Sequence, residues 1–320
     1  MMVHNNNGAR NILDFFALEP LHIKNACITI GNFDGVHKGH QAIIAKMVNQ
    51  AQLSTKQVIV VTFFPNPSDF FNPNRNSFYL STPQEKERLL LDMGVDQVIT
   101  FKFDHDFANL SPEAFLSGLK EKLGLSVLVV GYDFALGKNR RGTIDVIKRI
   151  SHELGFEVKM IEPLNQGDQA ISSTLIRNRL DAGDMAAVRE MLGRYYAVDG
   201  VVRHGSNRGA KMGLPTANIE HWPHKKLPAI GVYATHVYLR GQMYWGMTNV
   251  GYRPTFEDQE KPNIETFILN FEGNVVGERL TIEFIQKIRE EQKFNGVDDF
   301  LAQIEKDKIT AQRILNDAEI

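Results

Sequence analysis

The chain has 320 residues, 43% of them hydrophobic and 23% charged, proportions of a folded globular protein with material for more than one core. A formal net charge of −2 supplies no global field toward nucleic acid or an acidic membrane, and the single cysteine, Cys27, excludes an intramolecular disulfide and any cysteine-based zinc cluster. No apolar run reaches the ~18 residues of a membrane span. Residues 1–10 are polar and Asn-rich without the apolar stretch of a signal peptide, so a cytoplasmic protein with a loose leader is expected.

In the first half, short and nearly continuous apolar runs rich in β-branched residues fall at 27–31, 57–63, 95–101, 125–131 and 156–161. Such runs suit strands buried on both faces of a parallel sheet. Helical stretches at 41–52, 83–93, 112–123 and 143–154 alternate with them. Thr82-Pro83 and Ser111-Pro112 each offer an N-cap followed by proline at the first helical position. The order predicts a doubly wound α/β domain. Two short helical pieces follow residue 184, ending near 192. Strands are then expected at 196–203, 231–239, 243–250, 265–271 and 280–285, joined by Gly- and Pro-rich turns. That spacing predicts a small antiparallel barrel, closed by a helix over 297–316. The expected domains are 1–185 and 186–320.

The strongest local signal runs from the first of the buried strands into a helix: Gly31-Asn32-Phe33-Asp34-Gly35-Val36-His37-Lys38-Gly39-His40. Its glycines let backbone approach a ligand closely. His37 and His40, three residues apart, can share one helix face. A helix N-terminus adds free N–H groups and the positive dipole end, which together suit a polyphosphate. Ser172-Ser173-Thr174 would cap a later helix, with Arg177 one turn inside it able to make charge-assisted bonds to the same phosphates. These two blocks resemble the signatures of the His-x-Gly-His nucleotidyltransferases, in their FAD synthetase branch. Two further segments fit that family. Phe63-Phe-Pro65-Asn-Pro is similar to its Phe-x-Pro-x-Pro and would shape the flavin pocket. Gly131-Tyr-Asp133-Phe134-Ala-Leu-Gly137 matches its Gly-x-Asp-Phe-x-Phe-Gly, except that Leu136 replaces the usual aromatic. The basic run after it, which includes Arg140, fits an FMN phosphate and equally a solvated loop. The resemblance implies transfer of an adenylyl group from ATP to FMN. FMN already carries an anionic phosphate, so the protein must position two polyanions and neutralise the leaving pyrophosphate rather than supply a strong base.

The second half lacks a P-loop. It has a glycine loop with Gly205, Gly209 and Gly213, then Leu214-Pro215-Thr216-Ala217-Asn218. Backbone N–H groups of such a loop can wrap phosphates, and Thr216 and Asn218 offer hard oxygen ligands for Mg²⁺. The segment resembles the riboflavin kinase signature Gly-x-Pro-Thr-Ala-Asn. Lys211 stands beside Ala210, where bacterial members carry a basic residue. Asn249-Val-Gly-Tyr-Arg253-Pro-Thr-Phe and Lys287-Ile-Arg289-Glu-Glu-Gln-Lys-Phe match two further blocks of that family. From the resemblance, Asn249 and Arg253 would contact nucleotide, Arg289 flavin or nucleotide, and Glu265 would be the base for the riboflavin hydroxyl. Phe267 and Asn270 replace the family's usual His and Asp. His221 and His224 lack a third ligand and are read as a surface loop.

Motif blocks in the expected order, one set in each half, imply a bifunctional riboflavin kinase/FAD synthetase. Its substrates and products would be ATP, riboflavin, FMN and FAD, its metal Mg²⁺, with no nucleic-acid or membrane partner; self-association is left open. A nicotinate or pantetheine adenylyltransferase would account for the first half only and leave Glu265 idle. A non-enzymatic flavin-binding protein would not need His37, His40 and Glu265.

Overall fold

The computed structural model describes residues 12–72, 78–131, 134–137, 141–162, 165–166, 169–205, 214–252 and 262–318. The chain divides into two compact units: Met1–Ser77 with Ser81–Ile171, and Phe78–Leu80 with Ser172–Ile320.

The first unit is built from β1 (Ile12–Leu13), β2 (Ala26–Ile30), α1 (Lys38–Gln52), β3 (Gln57–Phe64), α2 (Pro67–Phe71), α3 (Pro83–Leu91), β4 (Gln97–Lys102), α4 (His105–Ala108), α5 (Pro112–Leu123), β5 (Leu125–Gly131), α6 (Ile144–Leu154), β6 (Glu157–Ile161) and the hairpin β7 (Asn165–Gln166)–β8 (Gln169–Ala170). Its main sheet has the order β1-β4-β3-β2-β5-β6, with every neighbouring pair parallel. Alternate side chains feed two cores. Ala26, Ile28 and Ile30 of β2 pack with Leu116 and Leu119 of α5 and Ile147 and Ile150 of α6. Cys27 of the same strand joins Ile44 and Met47 of α1 and Leu90 of α3 on the opposite face. This is why the strands read as continuous apolar runs. Burial raises the Cys27 thiol pKa to about 11, so it is an inert core residue. The chain leaves β2 toward β3 on one side, while β5 and then β6 follow on the other. The carboxyl ends of β2 and β5 therefore form the topological switch point, where ligands bind in open α/β sheets.

The caps expected from sequence are present. Thr82 Oγ1 accepts from the Glu85 N–H at 3.1 Å while Glu85 accepts from the Thr82 N–H at 2.8 Å, a complete capping box. Ser111 caps α5 by accepting from the Ala114 N–H. Helix α1 starts at Lys38 rather than 41, because a histidine, His37, serves as its cap.

The second unit opens with α7 (Ser173–Asp181), the helix expected behind Ser172, and α8 (Met185–Leu192); one helix, not two, follows residue 184. Then come β9 (Tyr196–Arg203), β10 (Ala217–His221), β11 (Gly231–Leu239), β12 (Gln242–Tyr252), β13 (Pro262–Ile268), β14 (Arg279–Arg289) and α9 (Val297–Ala318). The strands close into an antiparallel barrel, β10-β13-β12-β11-β14-β9. Strand β10 was not among the expected strands; it is the Ala217-Asn218 end of the signature read as a ligand loop. The strand expected at 265–271 runs Pro262–Ile268 instead. It ends there because the chain turns through Asn270 at φ 54°, a left-handed conformation that asparagine tolerates. Helix α9 covers one side of the barrel, with Ala311, Ile314 and Leu315 against Ala234, Met247, Leu269 and Ile285.

Candidate active sites

The first unit presents its loop at the carboxyl end of β2. The Gly31 N–H donates to the Val61 carbonyl at 3.0 Å, extending the β2–β3 pairing one residue. The chain then takes left-handed conformations at Phe33 (φ 49°), Gly35 (φ 79°) and Val36 (φ 40°). For a bulky and a β-branched residue these conformations are costly, and surrounding contacts must hold them. Asp34 is buried and its Oδ1 accepts from the Ser81 N–H at 3.1 Å. Ser81 Oγ in turn accepts from the Gly35 N–H at 3.0 Å. Asp34 thus braces the loop from beneath. Lys86 of α3, only 5% exposed, donates to the Asn32 carbonyl at 3.0 Å and to Thr62 Oγ1 at 2.8 Å.

His37 caps α1: its Nδ1 accepts from the His40 N–H at 3.4 Å. The two imidazoles stack, ring centres 3.7 Å apart and planes 20° from parallel, and the Phe33 ring lies 5.0 Å from His40. Gly39 leaves room for this arrangement, since a Cβ there would stand 3.1 Å from the His37 ring. Burial holds the His40 pKa well below the usual imidazole range, and the neighbouring His37 and Lys86 push it the same way. His40 is therefore neutral at pH 7. Its Nδ1 is buried and without a partner among the described residues. Imidazoles beside the first turn of a helix can donate hydrogen bonds to phosphate oxygens.

Phe63 and Phe134, expected around the flavin, both pack on the aromatic core that includes Phe103, Phe107 and Phe115. The Phe63 ring lies 5.3 Å from Phe107. Pro65 follows Phe64 through a cis peptide and is half-buried. Leu136, in the family's aromatic position, is buried and pairs through its backbone with Gly142. Asp133 and Arg140 lie outside the described residues.

Ser172 caps α7, its Oγ accepting from the Leu175 N–H at 3.2 Å, with Ser173 and Thr174 in the first turn. Arg177 donates from Nε to the Phe78 carbonyl at 2.8 Å, within the second unit.

In the barrel, three residues that sequence placed far apart come into one row. Asn218 of β10 pairs with Glu265 of β13, and Glu265 pairs with Asn249 of β12. Because strand side chains alternate, all three share one face. The next row along, Ala217, Thr266 and Thr248, is fully buried apart from Ala217 at 5% and carries a hydroxyl contact of 3.0 Å between the two threonines. Asn263, which sequence analysis did not single out, donates from Nδ2 to Glu265 Oε1 at 3.1 Å and reaches Asn218 Oδ1 at 3.5 Å. Asn218 is 6% exposed, and Gly205 lies directly on its amide: a Cβ at 205 would stand 2.1 Å from Asn218 Nδ2, so a larger residue there would displace that side chain. Pro215 and Thr216 are exposed just before β10. Asn249 Nδ2 donates to Glu291 Oε1 at 3.4 Å. Gly209, Lys211, Gly213 and Arg253 lie outside the described residues. Arg289 is engaged by α9: its Nε donates to both carboxylate oxygens of Asp307, at 3.0 and 2.9 Å. Phe267, in the family's histidine position, packs with the apolar cluster under α9.

A parallel α/β unit with a histidine-capped helix at its switch point, joined to a barrel bearing a row of amides and one carboxylate, defines a two-unit nucleotide-dependent transferase. Family models match in the same order: FAD synthetase over residues 20–175 and riboflavin kinase over 192–315. Curated relatives named bifunctional riboflavin kinase/FMN adenylyltransferase align almost end to end. That of Listeria monocytogenes is 35% identical over 285 residues, covering 89% of this chain and 90% of its own. Those of Bacillus subtilis and Escherichia coli are 36% and 34% identical, each over 89% of this chain and 91% of their own. The chain belongs to the bifunctional riboflavin kinase/FMN adenylyltransferase family. A solved structure from Streptococcus pneumoniae, titled a macrolide-efflux protein, superposes with a TM-score of 0.85 at 28% identity, over 93% of this chain and 97% of that one. No helix among the described residues of the present chain is long and apolar enough to cross a membrane.

Proposed function

We propose that this chain phosphorylates riboflavin to FMN in its barrel and adenylylates FMN to FAD at the β2–α1 loop, with Mg²⁺ and ATP at both steps. One observation carries the reading: each half of the chain matches one family model, FAD synthetase first and riboflavin kinase second. By function the adenylyl-transfer module is residues 1–185 and the kinase module 186–320. Helix α7 counts with the first because its Ser-Ser-Thr-x-x-Arg signature serves that chemistry, although it packs with the second.

In the first reaction a phosphate oxygen of FMN attacks the α-phosphorus of ATP and pyrophosphate leaves. His37 and neutral His40, with the N–H groups of the loop and of the first turn of α1, donate to the nucleotide phosphates. The resemblance also gives Ser172, Ser173, Thr174 and Arg177 to phosphate binding. Phe63, Pro65, Asp133, Phe134 and Arg140 form the flavin side. In the second reaction Glu265 takes the proton of the ribityl hydroxyl as that oxygen attacks the γ-phosphorus, and ADP leaves. Asn263 orients the carboxylate. Asn218, in register with Glu265, and Thr216, just before β10, offer hard oxygen donors that suit Mg²⁺, which when bound would neutralise phosphate charge. Gly205, Gly209, Lys211, Gly213, Pro215, Asn249 and Arg253 hold the kinase nucleotide. Arg289 contributes to the flavin side by fixing the end of β14 against α9.

The test is a time course of the purified chain with riboflavin, ATP and Mg²⁺, flavins resolved by chromatography. FMN should rise first and FAD follow, with ADP and pyrophosphate as co-products. No FAD from supplied FMN at millimolar Mg-ATP would overturn the adenylyltransferase half. No FMN from riboflavin would overturn the kinase half.

A further inference from the structure

Lysine 86 is a buried cation that the reaction steps above do not use. It sits on α3, directly after Glu85 of the capping box, and its ammonium points into the unit rather than to solvent. Its two hydrogen bonds close a triangle. Lys86 Nζ donates to the Asn32 carbonyl at 3.0 Å and to Thr62 Oγ1 at 2.8 Å, and the Thr62 hydroxyl donates to the same carbonyl at 3.1 Å. Thr62 is wholly buried in β3. One carbonyl of the glycine loop is thus gripped by two donors from two different elements.

The grip has a geometric consequence. The Asn32–Phe33 peptide is trans, and in a trans peptide the carbonyl and the following N–H point in opposite directions. Holding the Asn32 oxygen toward Lys86 and Thr62 turns the Phe33 N–H the other way, away from the core. That N–H has no hydrogen-bond partner among the described residues. Phe33 itself is left-handed at φ 49°, a conformation a phenylalanine does not hold unaided. Its ring is locked at 2% exposure and lies beside His40. The clamp therefore selects one orientation of a peptide whose free donor belongs to the same loop as the histidine pair.

We propose that Lys86 is a positioning residue for adenylyl transfer: with Thr62 it fixes the Asn32–Phe33 peptide so that the Phe33 N–H is preset as a donor to a phosphate oxygen. The inference rests on the adenylyltransferase reading of this loop. Two features support it. The ammonium adds positive charge within electrostatic reach of His40 and Asp34, where a polyanion would be drawn. Burial lowers the Lys86 pKa to about 8, while Asp34 acts to raise it, so the group remains a cation at neutral pH.

The experiment compares Lys86→Met, Lys86→Arg and Thr62→Val in the full chain. Wild-type FAD formation from FMN and Mg-ATP is measured first; failure there overturns the reading of the site, not this inference. A preset donor acts on the transition state, so kcat for FAD formation should fall on the order of 10²-fold in Lys86→Met. KM for FMN should change less than threefold. Riboflavin phosphorylation, in the other unit, should stay at the wild-type rate. Lys86→Arg restores a cation and should recover at least part of the loss. Thr62→Val removes one hydroxyl at constant shape and should lower the same parameter to a smaller degree. A folded Lys86→Met with wild-type kcat for FAD formation overturns the proposal. So does a folded Lys86→Arg as inactive as Lys86→Met, or a parallel loss of the kinase rate. If Lys86→Met gives no folded protein, Thr62→Val decides: an unchanged kcat overturns the proposal, and a lowered kcat with unchanged KM upholds it.

Discussion

At the scale of single residues, the two histidines differ although both are imidazoles in one turn. His37 is committed as a cap, accepting from the His40 N–H, whereas His40 keeps a buried Nδ1 without a partner among the described residues. Either change to alanine should lower FAD formation by roughly 10²–10³-fold, the range for losing one preset donor. FMN formation should persist, which assays of the two steps on the same preparation would check. His40→Ala should do so with little loss of stability, while His37→Ala also removes a helix cap. The neutrality of His40 has a second consequence. Its folded-state pKa lies below the ordinary 6.5, so in the window beneath 6.5 the unfolded chain binds a proton that the folded chain does not. Stability should therefore fall as pH drops through that window, and urea titrations at pH 5 and 7.5 should show a weaker dependence in His40→Gln. In the barrel, Glu265→Gln keeps shape and the contact with Asn263 yet removes the base. Riboflavin phosphorylation should drop on the order of 10²–10⁴-fold, with adenylylation of supplied FMN unchanged.

At the scale of elements, the decisive feature of the barrel is register. One step of slip between β10 and β13 would move Asn218 away from Glu265 and turn the carboxylate toward the threonine row. Helix α9 secures the far side of the barrel by apolar packing and by one ion pair, Arg289 with Asp307, the latter 1% exposed. Gln303 also donates to Asp307, at 2.8 Å. Asp307→Ala would leave the Arg289 guanidinium without its carboxylate and should cost about 3–5 kcal/mol of stability. Denaturant unfolding followed by a barrel signal such as Trp245 fluorescence would measure it. The family resemblance gives Arg289 to flavin or nucleotide; its carboxylate partner comes from a helix whose facing side only the packing reveals.

At the scale of the whole molecule, the second compact unit is more than a barrel and its helix. It includes α7, α8 and the segment Phe78–Leu80, whose Tyr79 exchanges backbone hydrogen bonds with the 224–226 turn. Lys225, 4% exposed, donates to the Leu80 carbonyl at 2.9 Å. A fragment of residues 172–320 retains the kinase row and should make FMN but never FAD. Without Leu80 it loses one hydrogen-bond acceptor of the buried Lys225 ammonium, a cost of up to about 1–3 kcal/mol. Activity assays and thermal melts of the fragment beside the full chain would show both effects.

Local signals were enough for much of this. Apolar runs on both strand faces, proline-led caps at Thr82 and Ser111, and the spacing of glycines and histidines lie within a few residues of one another. Local sterics and hydrogen bonding therefore determined the α/β half and the phosphate-suited loop at the end of β2, while the resemblance of the motif blocks supplied the candidate chemistry. Tertiary structure alone decided the rest. It showed a lysine of an amphipathic helix turned inward to grip the Asn32 carbonyl, a pattern that reads in sequence as a solvated charge. It brought Asn218, Glu265 and Asn249 into one row, closed the barrel with β10, and gave Arg289 to Asp307. Each of these depends on register or packing between segments distant along the chain, and such contacts form only when the core and its hydrogen-bond ladders fix both partners at once.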